Sequence, residues 1–239
     1  MSAIMNQELL MERLFEVLIN GDRRAARALL DDMRSARVSS DTMLSEVFWP
    51  TYEMIERLHR NDQLTALSYR LATRLLRVMV DQASAGLVQA PRSGRSIFAS
   101  CGPNDGDELG AQIAVDLLEA SGYRMTFSGG GVAADEILAQ VQETKPNILL
   151  MFCSAPGDLP QIRALIDRIR EIGACPNLQI VVGGGVFNRA EGLAEEIGAD
   201  LWATDPMELV EVITEQPAHR AKVNETSAAE TRRPRRKAA

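Results

Sequence analysis

Three short stretches carry the residues best suited to chemistry. Asp105-Gly106-Asp107-Glu108-Leu109-Gly110 mixes carboxylates with glycines. Ser154-Ala155-Pro156 follows one apolar run, and Gly183-Gly184-Gly185 follows another. A carboxylate such as Asp107 can ligate a metal, or it can sit in the first turn of a helix, where the dipole favours it. The glycines let a bulky ligand approach the backbone, or they merely serve tight strand–helix turns. The runs SGGGVAAD, from Ser128, and VVGGGV suggest phosphate cradles, but neither carries the lysine of a Gly-x-x-x-x-Gly-Lys-Ser/Thr loop. His59 is the lone histidine ahead of residue 217. An HExxH site, which needs two histidines, therefore cannot be assembled in the body. His59 beside Arg60 suits a surface or capping role as well as metal ligation. Tyr69 either stacks on a flat ligand or fills a core. Cys101 and Cys153 stand at strand ends, as buried structural thiols or as thiolate ligands. With Cys175 the cysteine count is odd, and no CxxC pair occurs. That favours reduced thiols over a disulfide framework.

The elements that must position these residues fall into two groups. Residues 1–88 read as a four-helix cap. Leu9, Leu10, Leu14, Phe15, Val17 and Leu18 recur at helical spacing. Asn20-Gly21-Asp22 stops that helix and caps the next, and Ser39-Ser40-Asp41 caps a third. Pro50 either kinks the third helix or starts its main segment. A fourth helix is expected from Asp62 to Gly86. Short connections between four helices imply a small bundle. Residues 89–95 (QAPRSGR) form a linker by composition.

Beyond the linker the period changes. Short apolar strands are expected near 96–100, 123–127, 147–153, 178–182 and 201–203. Helices are expected over 107–121, 133–143, 158–173, 188–197 and 206–214. Strands that are apolar throughout are buried on both faces. The fold expected for residues 96–216 is therefore a flavodoxin-like, five-stranded, parallel, doubly wound sheet. Ligands of such sheets lie beyond the carboxyl ends of the strands, where the glycines above collect.

Composition limits the function. A content of 46% hydrophobic and 25% charged residues is that of a globular chain. Pro217 to Ala239 holds seven Lys/Arg against two Glu, so of the net −7 the tail carries +5 and the body −12. An acidic body with 5% aromatics argues against a broad nucleic-acid surface, leaving only weak contact through the tail. Residues 217–239 are expected to be a disordered basic tail. The N-terminus lacks the basic start and apolar run of a signal peptide. No apolar run approaches the length of a bilayer span, so a cytoplasmic location is expected.

The three stretches together resemble the cobalamin-binding (corrinoid-binding, B12-binding domain) family. Its signature is Asp-x-His-x-x-Gly after the first strand, Ser-x-Leu after the third, and Gly-Gly after the fourth. Asp105 and Gly110 match the first element, but Asp107 stands at the histidine position. Ser154 matches the second, with Pro156 in place of leucine. Gly183-Gly184 match the third. The loop segments Gly130–Asp135 and Gly198-Ala199-Asp200 also look like the family's. LHRNDQLTALSYRLATRLL looks like the last two helices of the family's cap, so the resemblance covers roughly residues 5–215.

The resemblance implies cobalamin as cofactor, with Asp105, Asp107, Gly110, Ser128, Gly130, Ser154, Pro156, Gly183, Gly184, Tyr69 and His59 around it. Asp107 would offer cobalt an oxygen, harder than imidazole and a poorer match. His59 would be the upper ligand of cobalt, or of iron if the tetrapyrrole is haem. Light-sensing cobalamin repressors control the upper face with a Trp and a Glu-His pair. The aligned positions here hold His59, Tyr69 and Arg70. Three functions follow: a tetrapyrrole-binding sensor or regulator acting through a protein partner, a corrinoid methyl carrier for separate methyltransferases, or a cofactor-free interaction module. None makes the chain an enzyme in its own right.

Overall fold

The computed structural model describes residues 2–103 and 105–221, without the side chains of residues 2–6 and 105. Helices α1 (Ser2–Ile19) and α2 (Arg23–Ser35) are joined by a tight turn. The Asp22 carboxylate accepts from the N–H groups of Arg24 and Ala25, satisfying the first turn of α2. Ser39 does the same for Thr42 at the start of α3 (Ser40–Thr42). A π-helical segment, Met43–Phe48, then leads into α4 (Trp49–Arg60). Pro50 lies in the first turn of α4, where its missing N–H costs nothing. The wider π turn ahead of it removes the clash that a proline ring makes with the carbonyl four residues back. Pro50 thus starts the main segment. The next helix, α5 (Ala66–Ser84), begins later than the expected Asp62. Asp62 takes a left-handed turn conformation (φ 55°), and Thr65 is the cap, accepting from Ser68 N–H.

Leu14, Leu18, Leu29, Leu30, Phe48, Ile55 and Leu76 fill the space between these helices. That core does not end with the cap. It runs on into Leu109, Ile113 and Leu117 of the first helix of the α/β part. The Arg77–Glu108 ion pair, at 3.0 Å, crosses the same seam.

The α/β part follows in strict alternation. Its elements are β1 (Ser96–Cys101), α6 (Asp105–Ala120), β2 (Arg124–Gly130), α7 (Ala134–Thr144), β3 (Ile148–Phe152) and, after a 3-10 turn at Pro156–Asp158, α8 (Leu159–Ile172). Then come β4 (Gln179–Gly183), α9 (Gly185–Arg189), α10 (Leu193–Glu196), β5 (Leu201–Ala203) and α11 (Pro206–Glu215). All strand pairs are parallel, in the order β2-β1-β3-β4-β5. This is the flavodoxin-like sheet that the alternation predicts. Every residue of β3 and β4 is buried, as two covered faces require. The helix expected over 188–197 is instead two short ones, broken where Gly192 takes a left-handed φ of 77°. The strand expected over 123–127 extends to Gly130, because Gly130 packs directly on the Gly102 carbonyl.

Residues 217–221, expected within the tail, are packed on the sheet. Gln179 on β4 is fully buried, and its Nε2 donates to the carbonyls of Gln216 and His219. Asp200 accepts from Ile180 N–H and Ala221 N–H. These buried polar groups hold residues 217–221 against the sheet. The rest of the expected tail, 222–239, lies outside the described residues. Among the described residues no helix is long and apolar enough to cross a membrane.

Candidate functional site

The carboxyl ends of β3, β4 and β5 open into a cavity of about 260 Å³. Its floor is made of Asp107, Gly110 and Ala111 from α6, Ser154 after β3, and Gly183 to Gly185 after β4. Thr204, Asp205 and Leu209, at the start of α11, close one side. The roof is one face of α4. Trp49, Tyr52, Glu53, Glu56, Arg57 and Arg60 recur at three- and four-residue spacing and all face the floor. Asn188 and Arg189 stand at the open side.

Roof and floor touch at Gly106. The Tyr52 hydroxyl donates to the Gly106 carbonyl at 3.0 Å. Tyr69, from α5, donates to Glu56 Oε1 at 2.5 Å. A Cβ at position 106 would collide with both partners of that bond, so only glycine lets the pair settle on the loop. The contact shapes the electrostatics. Burial, then the neighbouring Glu56, pushes the Tyr52 hydroxyl well above the ordinary tyrosine range. Burial also raises Glu56, while the Tyr69 hydrogen bond pulls it back. Burial and then Asp205 raise Glu53.

Asp107 is 5% exposed, a carboxylate sunk in the floor. A Cβ on Gly102 would lie 2.6 Å from Asp107 Oδ2 and 3.2 Å from Asp158 Oδ2, so two carboxylates converge beside that loop. Carboxylates add to burial in raising nearby thiols. Cys153, beside Asp158 and Asp107, and Cys101, beside Glu108 and Asp107, are each pushed up to about 12, with burial the larger cause. Both therefore favour the thiol form in the metal-free protein. Among the described residues no cluster of three His, Cys, Asp or Glu could hold a metal ion by itself.

Of the residues expected at the site, Asp107, Gly110, Ser154, Gly183 and Gly184 line the cavity together. Others do not. Ser128 and Gly130 lie on β2, the edge strand, away from the β3–β4 opening; Ser128 donates to the Ala99 carbonyl instead. Pro156 is exposed in the 3-10 turn. Tyr69 is not among the lining residues and stands behind Glu56, to which it donates. His59 is placed behind Tyr69, its ring stacked on the tyrosine at 4.0 Å, with Nδ1 3.4 Å from the Leu64 carbonyl. It supports Tyr69 and is not among the residues that line the cavity. The Asp105 side chain lies outside the described residues. The roof residues of α4 and Arg189 were not anticipated. The one signal for the roof was the helical spacing of Tyr52, Glu56 and Arg60.

Residues 95–211, the segment that builds this floor, match the B12 binding domain. This part of the chain is similar to the B12-binding domain family. Relatives agree. The chain is 26% identical over 132 residues to a corrinoid protein of Desulfitobacterium hafniense, and 25% identical over 111 residues to dimethylamine corrinoid protein 1 of Methanosarcina acetivorans. These matches cover 54% and 46% of this chain and 59% and 51% of the relatives, so the chain spans about half the length of the curated relatives it matches. The monomethylamine corrinoid protein of Methanosarcina barkeri superposes over 87% of this chain and 98% of its own, with a TM-score of 0.76 at 15% identity. That likeness shows that cap and sheet together form a known fold.

The floor fits a B12-type cofactor as a cradle. Gly110, Ala111, Gly183 and Gly184 leave backbone and small side chains open to a flat, bulky molecule. The roof fits it only when raised. Pockets for drug-sized ligands run to about 300–1,000 Å³, and a corrinoid is larger still. The Tyr69–Glu56 pair seated on Gly106 holds α4 close over Asp107. Asp107 would offer such a group carboxylate oxygens rather than an imidazole.

Proposed function

We propose that the chain is a corrinoid carrier: it holds a corrinoid between cap and sheet and presents it to a separate protein, of the methyltransferase class. The cofactor, when bound, supplies cobalt–carbon bond chemistry. The chain's own residues cradle the ring with Gly110, Ser154, Gly183 and Gly184, exclude water with Trp49 and Tyr52, and place the Asp107 carboxylate below. The observation that carries this reading is the coincidence of the family's motif residues with the floor of the cavity. The relatives, one named for dimethylamine and another for methanol, order the alternatives. A carrier stands ahead of the sensor that a missing histidine suggests, and a corrinoid ahead of haem. The chain is then not a catalyst itself.

A specific observation favours a second reading. Asp107 in the histidine position and a cap resting on Gly106 are what a cofactor-free interaction module would show. Visible absorption titration of the purified protein with hydroxocobalamin, methylcobalamin and haemin, followed by gel filtration, separates the readings. Stoichiometric co-elution of a corrinoid is expected. Haemin alone co-eluting would replace the cofactor, and no co-elution at all would leave the interaction module. Given corrinoid binding, methyl transfer to cobalt by an added methyltransferase supports the carrier, and its absence with every methyltransferase of the host returns the sensor.

A further inference from the structure

This inference rests on the carrier reading and deepens it by naming the surface through which the partner takes hold. It concerns the outer face of the cap, away from the cavity. There α5 presents large apolar side chains to solvent: Leu67 is 69% exposed, Leu71 37% and Val78 39%. At about 3.6 residues per turn, positions 67, 71, 74 and 78 share one side of the helix. Arg74 is exposed on that same side. Helix α2 runs alongside. A Cβ at Gly21, in the turn before α2, would meet Leu71 at 3.1 Å. Farther along, Arg23 and Arg27 of α2 line a shallow groove together with Val78. Leu30, Leu75 and Met79 lie in the same groove.

These arginines are not spent on the chain's own carboxylates. Among the described residues Arg23, Arg27 and Arg74 have no carboxylate within ion-pair distance. The Asp22 carboxylate accepts from the first turn of α2, and Asp31 faces Arg34 at 3.9 Å. Asp81 is the sole acidic residue of α5. A cationic, apolar face therefore stands on a chain whose net charge is −7.

Charge decides between the occupants of such a face. A second copy related by a two-fold axis would set arginine against arginine. An anionic membrane or a nucleic acid would meet repulsion from the chain as a whole. A protein that is acidic at one patch meets neither obstacle. Two adjacent helices offer a groove that takes a third, with apolar anchors along one side of it. We propose that the α2–α5 face of the cap docks an acidic amphipathic helix of the partner protein. Its apolar side would cover Leu67, Leu71 and Val78, and its carboxylates would pair with Arg23, Arg27 and Arg74. Tyr69, on the opposite side of α5, donates to Glu56 in the roof. The partner would thus grip the helix that seats the roof over the cavity.

The probe is a fluorescent helical peptide with leucines along one side and glutamates elsewhere. A second peptide has the same composition with the leucines scattered. Each is titrated against the full chain by fluorescence anisotropy. The patterned peptide is expected to bind about tenfold more tightly than the scattered one. Arg74→Glu and Leu67→Ser should each weaken it about tenfold, and added salt should weaken it further. Arg168→Glu, at an exposed arginine of α8, should leave it unchanged. All three sites are at the surface, so the fold should persist, and hydroxocobalamin binding should be unaltered in every variant. Equal affinity for the two peptides, or equal weakening by Arg168→Glu, would show charge attraction without a docking face and overturns the proposal. So does a failure of the patterned peptide to bind at millimolar protein. Tighter binding to phosphatidylserine vesicles than to the peptide, lost in Leu67→Ser, would give the face to a membrane instead. A dimer in sedimentation equilibrium that Leu67→Ser dissolves would give it to a second copy. Peptide binding without any corrinoid binding would overturn the carrier reading and leave the docking face standing; corrinoid binding without peptide binding would do the reverse.

Discussion

The floor and the roof of the cavity are built by opposite means. The floor is backbone: glycines and small residues at the ends of buried strands, held by the register of a parallel sheet. The roof is side chain: aromatic and charged groups on α4, tied to the first turn of α6 by the Tyr52–Gly106 hydrogen bond. A floor of this kind tolerates almost no substitution, because its shape is the shape of the main chain. A roof of this kind can change residue by residue while the fold persists. The motif residues Gly110, Ser154, Gly183 and Gly184 belong to that floor, whereas α4 supplies the roof through its side chains. Asp107 is the exception, a carboxylate side chain set among the glycines and small residues of the floor.

The comparison can be broken most directly at Gly184. Its φ is 106°, and an added Cβ would strike the Cys153 backbone, lying 2.9 Å from both C and N. Neither strand can retreat, so Gly184→Ala should cost ~3 kcal/mol, read as a lowered urea midpoint. A loss under half of that would mean that the floor is softer than its geometry shows.

On the roof the effects should be smaller and confined to the cap. Gly106→Ala meets the ends of two side chains, which can move. It should lift Tyr69 and Glu56 and raise amide exchange in α4 while the exchange of β3 and β4 is unchanged. Tyr69→Phe removes a hydrogen bond to a carboxylate and should cost about 1.5 kcal/mol. Uniform loss of protection across the sheet in either variant would contradict the separation of roof from floor.

The seam between the two bodies should respond to pH. Asp116 on α6 accepts from Gln112, but its other oxygen is buried without a partner. Burial, with Asp81 of α5 and Glu119 adding repulsion, pushes its carboxyl from 3.8 to about 6. The folded chain then binds this proton more tightly than the unfolded chain does. The stabilising contribution is complete below the unfolded value and is lost as pH rises through the folded one, from about 4 to about 6. Asp116→Asn should flatten that part of the stability–pH curve; an unchanged curve would place the effect elsewhere. The smallest effect is expected at the floor cysteines. With thiols pushed up to about 12, Cys101 and Cys153 should resist iodoacetamide at pH 8 in the native protein and react once it is unfolded.

Much of this was legible in the order of residues, and the limits have physical causes. The caps at Asp22 and Ser39 involve hydrogen bonds spanning two or three residues, so residue type alone places them. The strands betray themselves because a buried parallel strand needs an apolar side chain at nearly every position. By residue type Ser128 and Gly130 are indistinguishable from the other strand-end residues, because a glycine after an edge strand reads the same as one after a central strand. Only strand order separates them, and strand order is a product of long-range pairing. His59 looked like a ligand because it is the lone histidine of the body. Its stacking on Tyr69 depends on how α4 and α5 meet.

The sequence by itself determined the helical and α/β parts, the parallel sheet and the glycines of the floor, since each rests on local periodicity or on backbone requirements at fixed spacing. The tertiary structure alone decided what faces that floor. Tyr52, Glu56, Arg60 and Arg189 meet around one cavity because the cap core continues into Leu109, Ile113 and Leu117 of α6 and sets α4 over the strand ends. Such contacts join residues more than fifty positions apart, as Tyr52 and Gly106 are, and no local rule fixes their meeting.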